Sequence, residues 1–207
     1  MPARPTVRHK IALVGDSGVG KSTILSTFKG ERFNPLYVIT RKREIKTAVV
    51  NVGNEVAELQ IWDTPGSADC RTMTAAYVQE DVQGVVVVFD VTSYDSYMNV
   101  QHWVKTVNQF AGQENVKFVF VGNKTDLERQ RKVSEDHGQE LANQTNGAYI
   151  DASAKTNKNI EMIFRRMTEI ILGMNEASNM NNERRSGAGD SGDYNGKERE
   201  GFHCTVL

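Results

Sequence analysis

The stretch Gly15–Ser22, GDSGVGKS, constrains this chain more than any other. It fits G-x-x-x-x-G-K-[ST] in full, and its setting matters as much as its letters. KIALVG ahead of it is a short apolar run ending in glycine, as a buried strand would be. GVGKSTILSTF behind it puts Ile24, Leu25 and Phe28 at helical spacing. A strand turning into a helix through glycines can fold Ser17, Gly18, Val19 and Gly20 around phosphates with N–H groups pointing inward. The helix N-terminus, with Thr23 in its first turn, adds partial positive charge. Lys21 would then reach the β- and γ-phosphates of a nucleotide, and Ser22 would ligate Mg²⁺.

The rest of the chain repeats the strand–helix alternation. GVVVVFDV and VKFVFVGN are continuous apolar runs, which suit strands buried on both faces between parallel neighbours. EIKTAVVNV and EVAELQIW flank GNE as a hairpin would. YMNVQHWVKTVNQF carries Val100, Trp103, Val104 and Val107 on one helical face; EDHGQELANQ is a further helix, and AYIDAS a short strand. Residues 157 to 174 hold a stripe of period 3.6 from Ile160 to Met174. The pattern predicts an α/β, doubly wound domain over 9–174, with its ligand site outside the carboxyl ends of the strands. Residues 1–8, with prolines and basic groups, read as a flexible leader. Residues 175–207, rich in Asn, Gly, Ser and mixed charge, read as a disordered tail.

Bulk properties exclude several classes. The net charge of −1 over 207 residues gives no support for binding a nucleic-acid polymer. Cys70 and Cys204 form no disulfide framework. No apolar run approaches the ~20 residues needed to span a bilayer.

The loop alone does not choose between ATP and GTP. FVFVGNKTD places Asn123, Lys124 and Asp126 just after a buried strand. An Asp carboxylate accepts both donors of guanine's Watson–Crick edge, a pair that adenine lacks. Lys124 can lie along the ring plane and Asn123 can hold the loop. DASAK offers Ser153, Ala154 and Lys155 after the next strand, where a backbone N–H could reach the guanine carbonyl. An ATP-dependent P-loop kinase is opposed by Asp126.

Taken in order, GDSGVGKST, WDTPG, GNKTD and ASAK resemble the Ras-superfamily small GTPases, and GDSGVGKS, LQIWDT and VVVFDVT look most like the Rab branch. The similarity covers residues 9–174. It implies a P-loop GTPase fold with a six-stranded, mostly parallel sheet and five helices, binding GTP/GDP and Mg²⁺ as a monomer. By position, Phe33 would stack on the guanine edge, and Thr40 would meet Mg²⁺ and the γ-phosphate. Asp63 would hold Mg²⁺ through water, and the N–H of Gly66 would sense the γ-phosphate. The catalytic set so implied is Lys21, Thr40, Gly66 and Ser67. The resemblance also implies slow hydrolysis and partnership with an exchange factor, a GTPase-activating protein and effectors of vesicle traffic. It places the chain in the cytoplasm, reversibly attached to the cytosolic face of endomembranes.

The chain departs from that pattern in four places. Arg41 and Lys42 follow Thr40 where Ile-Gly is usual, giving four basic residues between 41 and 46. They make either a charge-blunted edge strand or a surface for an acidic partner or anionic membrane. Trp62 and Tyr77 match two positions of an effector-reading triad, with Ile45 in place of the third aromatic. Ser67 stands where a water-orienting glutamine belongs, beside Pro65 and Ala68. A serine hydroxyl is too short to bridge an attacking water and the γ-phosphate, so a long-lived GTP state is expected; the alternative is a persistently GTP-bound scaffold. Finally, HCTVL fits a C-a-a-X end, with Cys204 as lipidation site and a single prenyl chain rather than two.

Overall fold

The computed structural model describes residues 7–36, 39–67, 81–110, 116–174 and 205–206. Tyr77, Cys70, Cys204 and most of the expected tail lie outside the described residues. Seven strands form one sheet: β1 (Val7–Val14), β2 (Glu44–Val52), β3 (Glu55–Asp63), β4 (Gly84–Asp90), β5 (Lys117–Asn123), β6 (Ala148–Asp151) and the two-residue β7 (Thr205–Val206). Their order across the sheet is β6-β5-β4-β1-β3-β2-β7. The six longer strands are those expected. β1, β3, β4, β5 and β6 run parallel, while β2 is antiparallel to β3 in the hairpin that the sequence announces. β7 pairs Thr205 with Val49 and Val206 with Ala48 at the β2 edge.

Five α-helices occur among the described residues: α1 (Lys21–Phe28), α2 (Tyr94–Met98), α3 (Val100–Phe110), α4 (Glu135–Thr145) and α5 (Ile160–Ile171), with a 3₁₀ helix over Thr125–Gln130. Strand alternation sorts the apolar side chains onto two faces. Ile11, Leu13, Val86 and Val88 pack with Ile24, Phe28, Ile163 and Phe164 under α1 and α5. Ala12, Val85, Val87 and Phe89 pack with Trp103, Val107 and Leu141 under α3 and α4. Every residue of β4 is buried, which explains its unbroken valine run.

Three boundaries differ from the sequence reading. β1 starts at Val7, inside the stretch read as a loose leader, because Arg8 Nε donates to Glu58 Oε1 at 2.8 Å on the neighbouring strand. The helix expected over YMNVQHWVKTVNQF is broken at Asn99 into α2 and α3. The last helix begins at Ile160 rather than 157 because Asn157 and Asn159 both take left-handed conformations, φ 62° and 59°.

Candidate nucleotide site

A cavity of about 590 Å³ opens at the carboxyl ends of the strands. Its lining includes Ser17, Gly18, Gly20, Lys21, Ser22 and Thr23 from the loop and the start of α1. Phe33, Thr40, Gly66, Asn123, Lys124, Asp126, Ala154 and Lys155 are further predicted residues on its walls, whereas Asp63 is not among the lining residues. Residues remote in sequence therefore converge because each follows the carboxyl end of a parallel strand, or the helix that leaves it. Val19 and Ser153 are buried behind the wall instead, holding other residues in place.

The phosphate end is built around Lys21. Its ammonium donates to the carbonyls of Gly15 and Asp16 at 2.7 and 2.9 Å. Burial lowers its pKa to about 8, against the opposing pull of Asp63 and then Asp16. Gly20 has φ 101°, and a Cβ there would lie 2.3 Å from Asn123 Nδ2, so the loop cannot carry a larger residue. Gly66 is equally confined: a Cβ would fall 2.4 Å from Lys21 Nζ and 2.6 Å from Asp16 O. Thr64 anchors this approach by donating from Oγ1 to Leu13 O at 2.6 Å. Ser67, one residue on, is half-buried and is not among the lining residues.

Three oxygen-bearing side chains meet beside Lys21. Ser22 Oγ donates to Asp63 Oδ2 at 2.5 Å and lies 2.9 Å from Thr40 Oγ1. Asp63 is 3% exposed, and its buried Oδ1 has no hydrogen-bond partner among the described residues. Burial raises its pKa; the Ser22 hydrogen bond and then Lys21 oppose the rise. Hard oxygens with an unsatisfied buried carboxylate oxygen fit a small divalent cation such as Mg²⁺. Ser22, Thr40 and Asp63 would hold it.

At the other end, Asn123 joins the parts. Its Nδ2 donates to Val19 O at 2.8 Å and its Oδ1 accepts from the Ala154 N–H at 3.2 Å. That N–H, one of the candidates for the guanine carbonyl, is thus engaged by Asn123. Asp126 is positioned by Ser153 Oγ, 2.7 Å from Oδ1, and by Lys155 Nζ, 3.7 Å from Oδ2. Lys124, at φ 69°, is held by Asp90 at 2.7 Å. Asp90 itself accepts from the N–H and hydroxyl of Thr92 at 2.8 and 2.7 Å. The sequence reading missed Asp90; its signal was an acid ending a fully apolar strand, in VVVFDVT. It also missed Thr27, whose Oγ1 donates to Ala154 O at 2.9 Å and ties α1 to the base loop.

The structure corrects the expectation that Trp62 offers itself to effectors. Trp62 is 2% exposed, and the Arg43 guanidinium carbon lies 4.3 Å from its ring centroid. Ile45, its neighbour across the β2–β3 ladder, is exposed. The basic stretch is divided: Arg41 and Lys42 are exposed, Arg43 lies over Trp62, and Lys46 Nζ is 3.6 Å from Glu44.

A parallel sheet with a glycine-rich loop before α1, an oxygen cluster beside its lysine and an Asn-Lys-x-Asp loop at the far wall defines a P-loop protein shaped for guanine nucleotides. The Ras family model matches residues 10–173. The chain is similar to Ras-related protein SEC4 of Candida albicans, 42% identical over 162 residues, 78% of this chain and 76% of that protein. It is 36% identical to Ras-related protein SEC4 of Saccharomyces cerevisiae over 195 residues, covering 90% and 89% of the two chains. It is also 36% identical to Ras-related protein Rab-15 of Mus musculus over 166 residues, 80% and 77%. The chain belongs to the Ras family and is a Rab-like small GTPase.

Proposed function

We propose that the cavity holds GTP or GDP with Mg²⁺ and that the protein is a membrane-traffic switch with a long-lived GTP state. The single observation that carries the slow rate is Ser67, placed one residue beyond the confined Gly66 and outside the cavity lining. Lys21 binds the outer phosphates, and the Gly66 N–H and Thr40 respond to the γ-phosphate. Asp126 selects guanine, with Asn123, Lys124, Ser153, Ala154 and Lys155 fixing its loop, and Phe33 stacks on the base edge. Ser22, Thr40 and Asp63 would hold the cation, which would supply positive charge against the phosphates.

Family enzymes hydrolyse GTP unaided at about 10⁻⁴ per second. Loss of one oriented hydrogen bond, about 1–3 kcal/mol, slows that about ten- to a hundredfold. A GTPase-activating protein can supply the missing groups, an exchange factor resets the site, and effectors read the GTP form around Ile45 and Arg41–Lys42. Prenylation at Cys204 would attach the chain reversibly to the cytosolic face of endomembranes.

The test is the nucleotide carried by protein purified from its own cells. Chromatography of the released nucleotide is expected to give one guanine nucleotide per chain, with GTP exceeding GDP. Adenine nucleotide, or GDP alone, would contradict the reading.

A further inference from the structure

The carboxylate of Asp16 points away from the cavity and is gripped from the helix layer. Its Oδ1 accepts from Trp103 Nε1 at 2.9 Å, and its Oδ2 accepts from Asn99 Nδ2 at 2.7 Å. Asp16 is 83 and 87 positions from these partners, so the contact is wholly tertiary. Asn99 is the break between α2 and α3: its carbonyl accepts from the N–H groups of His102 and Trp103, at 3.0 and 3.2 Å. The main chain of Asp16, by contrast, is part of the site. Its carbonyl accepts from Lys21 Nζ at 2.9 Å and would lie 2.6 Å from a Cβ on Gly66.

We propose that Asn99 and Trp103 are positioning residues for nucleotide retention: they fix Asp16 through its side chain, and so fix the carbonyl that aims Lys21 and meets Gly66. This rests on the guanine-nucleotide site described above. A hydrogen bond to a charged acceptor is among the stronger ones in a protein, and both oxygens of Asp16 receive one. The two donors come from a fully buried indole and from the residue between α2 and α3, so movement of the α2–α3 junction is transmitted to the phosphate loop. The junction thereby regulates release without touching the cavity.

The experiment measures release of a fluorescent GDP analogue from Mg²⁺-loaded wild type, Asn99→Ala, Asn99→Asp and the double variant Asp16→Asn with Asn99→Asp. Each rate is taken as a ratio to wild type. Asn99 is half-buried, so its replacement opens no core cavity, and thermal unfolding of each variant confirms the fold. Asn99→Ala is expected to release GDP about tenfold faster, having lost one charge-assisted bond. Asn99→Asp sets two carboxylates face to face, and its ratio is expected to exceed that of Asn99→Ala. The double variant exchanges donor and charged acceptor across the same contact, and its ratio is expected to fall toward one. Ratios near one for both single variants would overturn the proposal, as would a double variant that releases GDP no more slowly than Asn99→Asp, the mark of a structural role. Failure of wild type to bind the analogue would instead overturn the guanine-nucleotide reading.

Discussion

Asn123 and Val19, 104 positions apart in sequence, are joined by a 2.8 Å hydrogen bond that fastens the base loop to the phosphate loop. The other end of the same amide accepts from the Ala154 N–H, so one side chain sets the spacing of three loops around the cavity. Asn123 is 1% exposed, so its truncation leaves the Val19 carbonyl and the Ala154 N–H without this partner. Asn123→Ala is expected to weaken GTP and GDP together by about ten- to a hundredfold, since the spacing serves both. Titration with each nucleotide checks this; loss of one affinity alone would contradict it.

Asp126 is the residue proposed to select the base. ITP lacks the exocyclic amine of guanine and so removes one of the two donors that the carboxylate would accept. Wild type is expected to prefer GTP over ITP by about 1–3 kcal/mol, and Asp126→Ala to bind the two alike. Competition for a fluorescent guanine nucleotide measures both.

Lys21 gives the pH dependence a sign. Its pKa in the free protein is lowered from 10.5 to about 8 by burial. Between those values the unfolded chain binds more protons than the folded one, so the stability of the nucleotide-free protein rises with pH across that window. Phosphates beside the ammonium favour its charged form, so GDP binding near pH 8.5 is expected to take up part of a proton. Calorimetry in two buffers of different ionisation enthalpy reads that uptake directly. Zero uptake would contradict it.

Arg43 lies over Trp62, and the ring is otherwise buried. Arg43→Ala is expected to uncover one face of the indole. Its fluorescence would shift to longer wavelength, and an uncharged quencher such as acrylamide would reach it more easily. The Arg43–Trp62 stack contributes about 0.5–1 kcal/mol at a half-exposed site, so only a small loss of stability accompanies the change. An unchanged spectrum would mean that other groups cover the ring.

Much of this was legible in the chain. The valine runs of β4 and β5 and the glycine-rich loop declared a parallel sheet with its site at the carboxyl ends. The motifs named the walls from the phosphate loop and from the Asn-Lys-x-Asp and Ser-Ala-Lys segments, because short segments there serve both backbone shape and ligand chemistry; of the wall from Glu31 to Leu36 only Phe33 was named. What stayed hidden was tertiary. Trp62 reads as a surface aromatic until Arg43 is seen above it. Asp16 sits inside the motif at a variable position; of its partners, Trp103 on α3 announces only core periodicity and Asn99 nothing at all. Asp90 looks like the end of a strand, and only folding brings it to Lys124. The start of α5 moved because Asn157 and Asn159 took left-handed turns that the apolar stripe does not encode.

Single-turnover hydrolysis tests the proposed effect of Ser67 on the lifetime of bound GTP most directly. Wild type and Ser67→Gln are loaded with GTP and Mg²⁺, and the GTP to GDP ratio is followed by chromatography over a day. Most wild-type GTP is expected to survive well beyond the roughly two hours set by an intrinsic rate of about 10⁻⁴ per second, with Ser67→Gln clearly faster. A wild-type half-life of about two hours or less, or a Ser67→Gln rate no faster than wild type, would contradict it.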